Sequence, residues 1–430
     1  MHPNLRAALA GALLLAAGCG GPARTAGPAP HPTARLAPAT WTRASSPDSI
    51  AAWALRGCRD TGAGKQACYE HALVSSIAPA GVDRVMAALD RLSAADPAVN
   101  PQGHVYAHGI GIAAYTGAAT VGETFARCTP GYQSGCYHGV IQAFFADAGA
   151  GGATAERLNT LCADYRKPEG RWLQFQCAHG AGHGLMAVHG QHLLRALEGC
   201  DLFANAAERE GCYGGAFMEN IVNATVPHHT TTTQLGAKPS GGHDEHANHG
   251  GGGHAHGPPA QQEAFKALDK AQPLYPCTVV QARHRYSCYA MQTSPILFFN
   301  GGDFADAGKQ CESAPEEMRR TCFVSLGRDA AAYAGKDDAR AVALCQNVPE
   351  GRLPWCVIGT AKNRVDVTAD PADGMAYCRA VPTADAKRTC YRAVGEELAA
   401  LHGALPQRER ACTTAEPAFI AECRAGAQVP

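Results

Sequence analysis

The chain has 430 residues, with 37 Lys+Arg against 38 Asp+Glu and a formal net charge of −1. That balance excludes a general nucleic-acid binder and a polybasic membrane-surface protein, since both depend on excess positive charge. A hydrophobic fraction of 46% suffices for a packed core and excludes wholesale disorder, which leaves 19 Cys and 19 His as the unusual counts. Cysteines in that number mean disulfides in an oxidising compartment, or zinc and redox chemistry in a reducing one.

The N-terminus decides the compartment. Arg6 precedes an almost purely apolar run from Ala7 to Ala17, the length of a secretory core segment and too short to span a bilayer. Residues 1–18 therefore read as a signal peptide. Leu15-Ala16-Ala17-Gly18-Cys19 resembles a bacterial lipobox. That resemblance implies cleavage before Cys19, lipidation of Cys19, and attachment to a membrane through an N-terminal lipid anchor. Gly20 stands where an Asp would signal inner-membrane retention, so the implied location is the cell envelope, at the outer membrane or cell surface. Residues 19–49 carry a stretch rich in Pro, Ala and Gly and read as a flexible tether. No later segment is long and apolar enough to cross a membrane.

Cys19 aside, the cysteines fall into consecutive pairs: Cys58/Cys68, Cys128/Cys136, Cys162/Cys177, Cys200/Cys212, Cys277/Cys288, Cys311/Cys322, Cys345/Cys356, Cys378/Cys390 and Cys412/Cys423. Cys288, Cys322, Cys356, Cys390 and Cys423 follow one another at intervals of 34, 34, 34 and 33 residues. A period near 34 marks an array of helix–turn–helix units. A basic residue recurs three places before the second Cys (Arg209, Arg285, Arg319, Lys387). An aromatic recurs just after it (Tyr69, Tyr137, Tyr213, Tyr289, Phe323, Tyr391).

Each unit reads as two helices, with the first Cys ending the first helix and the second Cys early in the second. Over 338–369 the pattern predicts a short helix capped by Asp338 and ending at Cys345. A turn at Pro349-Glu350-Gly351 follows, then a second helix carrying Trp355 and Cys356. Asp370-Pro371 then supplies a cap and a first-turn proline for the next unit. A bridge between the two cysteines of a unit would staple its hairpin near the turn. Closing a loop of about 11 residues stabilises by roughly 2.5–3 kcal/mol. Pairing between units and metal binding by thiols are the alternatives; the lack of CxxC pairs weighs against zinc. The interval from Cys68 to Cys136 is twice the period and holds a cysteine-free hairpin, Val82–Ala95 then Val105–Tyr115. The reading is all-α: an α-solenoid of about ten hairpins, nine of them stapled. His/Gly-rich repeats occupy 50–226, an insert 227–260, and C-terminal repeats 261–427.

Over roughly residues 50–427 this organisation resembles the Sel1-like and tetratricopeptide class of helical repeats, particularly the disulfide-stapled Sel1-like proteins secreted by some bacteria. The resemblance is architectural. It implies a curved solenoid with a concave binding face, and with it a protein or peptide partner.

Histidines concentrate in the first half. His71, His104, His108, His138, His179, His183, His189 and His192 lie within predicted repeats, against only His284 and His402 in the C-terminal repeats. His104/His108 and His179/His183 are spaced i, i+4, which places two imidazoles on one helix face, as a metal site needs. His138 and His179 each stand two places after a second Cys. The same place after Cys212 holds a glycine, Gly214, and Glu219 follows farther along that unit. Gly109, Gly111, Gly139, Gly180, Gly182, Gly184, Gly214 and Gly215 fall at or near the same face, although Gly costs roughly 0.8–1 kcal/mol relative to Ala in a helix. Close helix packing or close approach of a ligand would each offset that cost. Similarly, the histidines either bond inter-repeat carbonyls in a tight core or hold a transition metal, Zn, Cu or Ni, through His104, His108, His138, His179, His183 and Glu219. The CxxCH motif of covalent c-type haem is missing, as are HExxH, GxSxG and the P-loop.

The insert carries a second population: His228, His229, His243, His246, His249, His254 and His256 among Thr-rich and Gly-rich spacers. This composition packs no core, and its imidazoles would capture metal with low affinity. Three functions fit. One is an envelope-anchored binding or scaffold solenoid with a transition-metal site in its first half. The second is a metalloenzyme using the histidines of 104–183, with Glu219 as ligand or general base. The third is a purely structural envelope protein.

Overall fold

The computed structural model describes residue 36 and residues 39–148, 153–225 and 265–430. The signal segment 1–18, the lipidation residue Cys19, most of the tether and the seven insert histidines lie outside the described residues. Within them there are twenty α-helices and no strand, and no helix is long and apolar enough to cross a membrane.

The helices come in successive pairs. In the first half these are α1 (Pro47–Cys58) with α2 (Lys65–Ala80), α3 (Val82–Ala95) with α4 (Gly103–Ala114), α5 (Val121–Phe125) with α6 (Gly135–Ala148), α7 (Ala155–Leu161) with α8 (Arg171–Val188), and α9 (Leu193–Cys200) with α10 (Ala206–Thr225). The sixth unit departs from the pattern. Residues before Gln281 form turns instead of a first helix, and the second helix is broken into α11 (Ala282–Tyr289) and α12 (Thr293–Asn300). Regular pairs then resume: α13 (Phe304–Glu312) with α14 (Glu316–Ala334), α15 (Asp338–Cys345) with α16 (Leu353–Thr368), α17 (Pro371–Ala380) with α18 (Ala384–Leu401), and α19 (Leu405–Cys412) with α20 (Ile420–Gly426).

All nine consecutive cysteine pairs are bonded, with Cα–Cα distances of 5.4–5.8 Å. The second Cys enters its helix at differing depths: Cys136 is the second residue of α6, Cys68, Cys356 and Cys423 are the fourth of theirs, and Cys177, Cys212, Cys322 and Cys390 are the seventh of theirs. In α10 the depth follows from the cap: the Asn205 side chain accepts from the Ala207 and Glu208 amides, so the helix is already running at Ala206. The bridge from Cys200 to Cys212 spans a sequence separation of 12 with the Cα atoms 5.6 Å apart.

The recurring side chains explain themselves around each staple. The aromatics after the second Cys are buried in the hairpin core, and several turn a hydroxyl to the loop. Tyr69 Oη donates to Asp96 at 2.8 Å, Tyr391 Oη to Glu416 at 2.9 Å, and Tyr213, next to Cys212, to Asp201. Two of the basic residues donate to carbonyls at the turn, Arg209 to that of Phe203 and Arg319 to that of Ala314, whereas Lys387 bridges the Glu416 carboxylate. Asp337, rather than Asp338, caps α15, because its side chain accepts from the Arg340 amide; Asp370 caps α17 as expected.

Second helices pack on second helices along the chain, α2 on α4, α4 on α6, α6 on α8 and α8 on α10, and again from α14 to α20. The glycines show how closely. A Cβ on Gly111 of α4 would stand 2.0 Å from the Cys136 carbonyl oxygen of α6, and one on Gly139 of α6 would stand 2.1 Å from the His108 carbonyl oxygen of α4. The same reciprocal clasp joins α8 to α10, where Gly182 faces the Cys212 carbonyl oxygen and Gly215 faces that of His179. It recurs between α14 and α16 through Gly327 and Gly359, and between α18 and α20 through Gly395 and Gly426. Two of the four clasps lie in the C-terminal half, whose second helices carry no counterpart of His138, His179 and His183 beside them. Backbone approach therefore accounts for these glycines without a ligand.

The clasps alternate with joints of another kind. Between α6 and α8, Gly180 meets the side chain of Ile141 instead of a carbonyl. Between α16 and α18, Lys362 bridges Glu396 at 2.9 Å and Glu397 at 2.8 Å. Clasp, joint, clasp thus recurs in both halves at an offset of five hairpins. The array also bends back on itself. α8 and the turn before it touch α18, and the Gly403 backbone lies against Pro168 and Glu169.

Candidate metal centre

The joint between α6 and α8 holds the histidines. α6 opens after Tyr132, Gln133 and Ser134, three consecutive non-glycine residues with φ of 58°, 54° and 61°. Each left-handed residue of this kind costs about 1–2 kcal/mol. The turn delivers the Tyr132 carbonyl to His104 Nδ1 at 3.0 Å and starts α6 so that His138 faces α8. A carbonyl only accepts, so His104 carries its proton on Nδ1.

His138, His179 and His183 each offer a ring nitrogen within 4.8 Å of the other two. They are 2%, 3% and 1% exposed. Ring centroids are 4.7 Å apart for His138–His179, 5.1 Å for His138–His183 and 5.2 Å for His179–His183. His138 Nε2 lies 3.0 Å from Gln176 Oε1, so Nε2 donates and Nδ1 bears the lone pair. His183 Nδ1 donates to Glu219 Oε2 at 2.7 Å, so Nε2 bears the lone pair. His138 Nδ1, His183 Nε2 and both nitrogens of His179 are buried without a hydrogen-bond partner. Burial, with the neighbouring imidazoles, holds His138 and His179 well below the usual histidine range; the Arg328 guanidinium adds to the effect at His179.

The sequence-derived set is thus drawn together unevenly. His138, His179 and His183 converge. His108 lies beside them, its ring 5.5 Å from that of His183, and His104 forms an outer member 5.7 Å from His138. Glu219 stands behind His183, not among the converging nitrogens, and its other oxygen accepts from Asn223 Nδ2 at 3.0 Å. A carboxylate in that place fixes the tautomer of a ligating imidazole and raises its basicity. Gln176 and Asn223 complete this outer layer; neither carries a sequence signal, because both are defined only by which helix lies opposite. The fifth unit, α9 with α10, adds no converging nitrogen of its own. Cys212 is committed to its bridge with Cys200, and the glycine two places on, Gly214, leaves its space to the His179 ring, whose Nδ1 would stand 3.3 Å from an added Cβ. His284 is an ordinary core histidine, 3.4 Å from Asp201.

Chemically, three buried imidazoles that each bring a ring nitrogen within 4.8 Å of the others form a group that could hold a metal ion. In a tetrahedral site with bonds of about 2.0–2.1 Å the nitrogens stand roughly 3.4 Å apart, so small ring movements would close the set onto an ion. No protein-family model, curated protein or solved structure matches this chain.

Proposed function

We propose that the chain is an envelope-anchored lipoprotein whose hairpins form an α-solenoid of the Sel1-like/tetratricopeptide kind, serving as a binding scaffold with a transition metal held by His138, His179 and His183. The observation that carries the metal is the convergence of three buried imidazoles whose lone pairs lack partners. Burying polar nitrogens without partners is costly, and an ion offsets that cost. Exposure of only 1–3% suits an ion that is held more than one that turns over substrate. The lipid anchor rests on Leu15–Cys19 and on the even number of cysteines left when Cys19 is set aside.

The metal is tested in the full chain with the seven insert histidines changed to alanine. One tightly bound transition-metal ion per chain is expected, lost in His179→Ala/His183→Ala with helical content nearly intact because the staples remain. A parent that never holds metal, with a double mutant that unfolds, would reduce the histidines to core packing. For the anchor, Cys19→Ser should abolish acyl labelling and release the protein from membranes; unchanged retention would point to another anchor.

A further inference from the structure

We infer that Gln142 supplies the fourth donor of this site through its amide oxygen, closing the coordination shell with protein ligands alone. The inference rests on the metal reading of His138, His179 and His183.

Gln142 lies four residues beyond His138 on α6, so the two side chains share a helix face. It is 1% exposed, and its Oε1 has no hydrogen-bond partner. An amide oxygen in such a place is normally bonded.

The repeat adds a second line. Counted from the second Cys of each unit, Gln142 is six places beyond Cys136, and His183 is six places beyond Cys177. The corresponding joint in the second half lies between α16 and α18. There Lys362 and Glu396 are six places beyond Cys356 and Cys390, and they meet at 2.9 Å. Side chains at this position therefore reach one another across the joint. In the first half the equivalent pair is Gln142 and His183. One half closes its joint with an ion pair; the other carries an amide and an imidazole at this position, each with an atom lacking a partner.

Three imidazole nitrogens and one amide oxygen form a complete four-coordinate set. A shell filled by the protein is the mark of a structural metal site, whereas catalysis keeps one position open. The four ligands are neutral when bound, and Glu219 behind His183 is a carboxylate that offsets one of the ion's two charges. The ion would then latch the unclasped joint, tying α6 to α8 where the glycines do not.

The test uses the full chain with the insert histidines replaced, titrated with Zn²⁺ against a competing chelator and with Co²⁺ followed by visible absorption. Gln142→Leu should weaken Zn²⁺ binding by at least about tenfold and alter the Co²⁺ bands as water enters the fourth position. Gln142→Glu should tighten binding and shift the Co²⁺ bands the other way. Should Gln142→Leu not fold, Gln142→Glu alone decides: an unchanged Co²⁺ spectrum overturns the assignment. If the parent binds and both variants match it in affinity and spectrum, Gln142 is no ligand while the imidazole site stands. If the parent binds neither ion, nor Cu²⁺ or Ni²⁺ in the same competition, both readings fall.

Discussion

His138 and His179, both deeply buried and held well below the usual histidine range, contribute to the pH behaviour of the metal-free protein. Burial depresses both in the folded chain, while an unfolded imidazole titrates near pH 6.5. Below that value the unfolded state binds protons that the folded state refuses, so stability is complete above about pH 6.5 and is lost as pH falls toward the depressed values. Each histidine contributes a slope of about 1.4 kcal/mol per pH unit in that window. Denaturant midpoints of the metal-free chain should fall between about pH 7 and pH 5, and the fall should be shallower in His179→Gln. An identical pH dependence in the variant would mean that His179 takes up its proton as readily in the folded chain as in the unfolded one, contrary to its burial.

At the scale of helices, the glycine clasp predicts opposite outcomes for one substitution at two places. A Cβ on Gly327 would stand 1.8 Å from the Cys356 carbonyl oxygen, so α14 and α16 must part. Gly327→Ala should destabilise by about 1–3 kcal/mol, although alanine is the better helix former. Gly122 in α5 has its nearest neighbour 3.6 Å away, and Gly122→Ala should be neutral or stabilise by about 0.4–1 kcal/mol. Equilibrium unfolding of the two variants measures the contrast. Two neutral results would mean that the second helices are not in close backbone contact. The staples tie the two helices of one hairpin, whereas the clasps join second helices of neighbouring hairpins, so neither device replaces the other.

Over the whole molecule, the contact of α8 and its preceding turn with α18 brings the two halves together. A Cβ on Gly403 would lie 2.7 Å from the Glu169 amide nitrogen. Gly403→Val should therefore loosen this contact and enlarge the radius of gyration in solution scattering, with helical content and disulfides unchanged. An unaltered radius would show that the bend is fixed elsewhere, in the joints themselves. The resemblance to repeat proteins implied an accessible concave face; in the folded chain α8 meets the far half, and the histidines it carries are almost wholly covered.

The sequence by itself determined the units. Cysteine spacing, the aromatic beside each second Cys and the proline and aspartate at helix starts are local signals, and they gave the hairpins, the staples and the cysteine-free unit at 82–114. It also marked His104, His108, His138, His179, His183 and Glu219 as one set, since i, i+4 spacing and repeat position are visible along one chain, but only the structure picked His138, His179 and His183 out of it. Tertiary structure alone decided the rest. The break between α11 and α12, the clasps that alternate with open joints, and the return of α18 onto α8 depend on which helix lies opposite which, at separations far longer than one repeat. Cys212 shows both sides: its pairing with Cys200 was legible from spacing, but not that its carbonyl would receive Gly182 of the neighbouring helix. For the same reason Glu219 was legible as an acid near the histidines but not as the partner of His183 Nδ1, and Gln176 was not legible at all. A side chain's chemistry is written in its own residue, but its role is set by the atoms facing it, and those come from another helix.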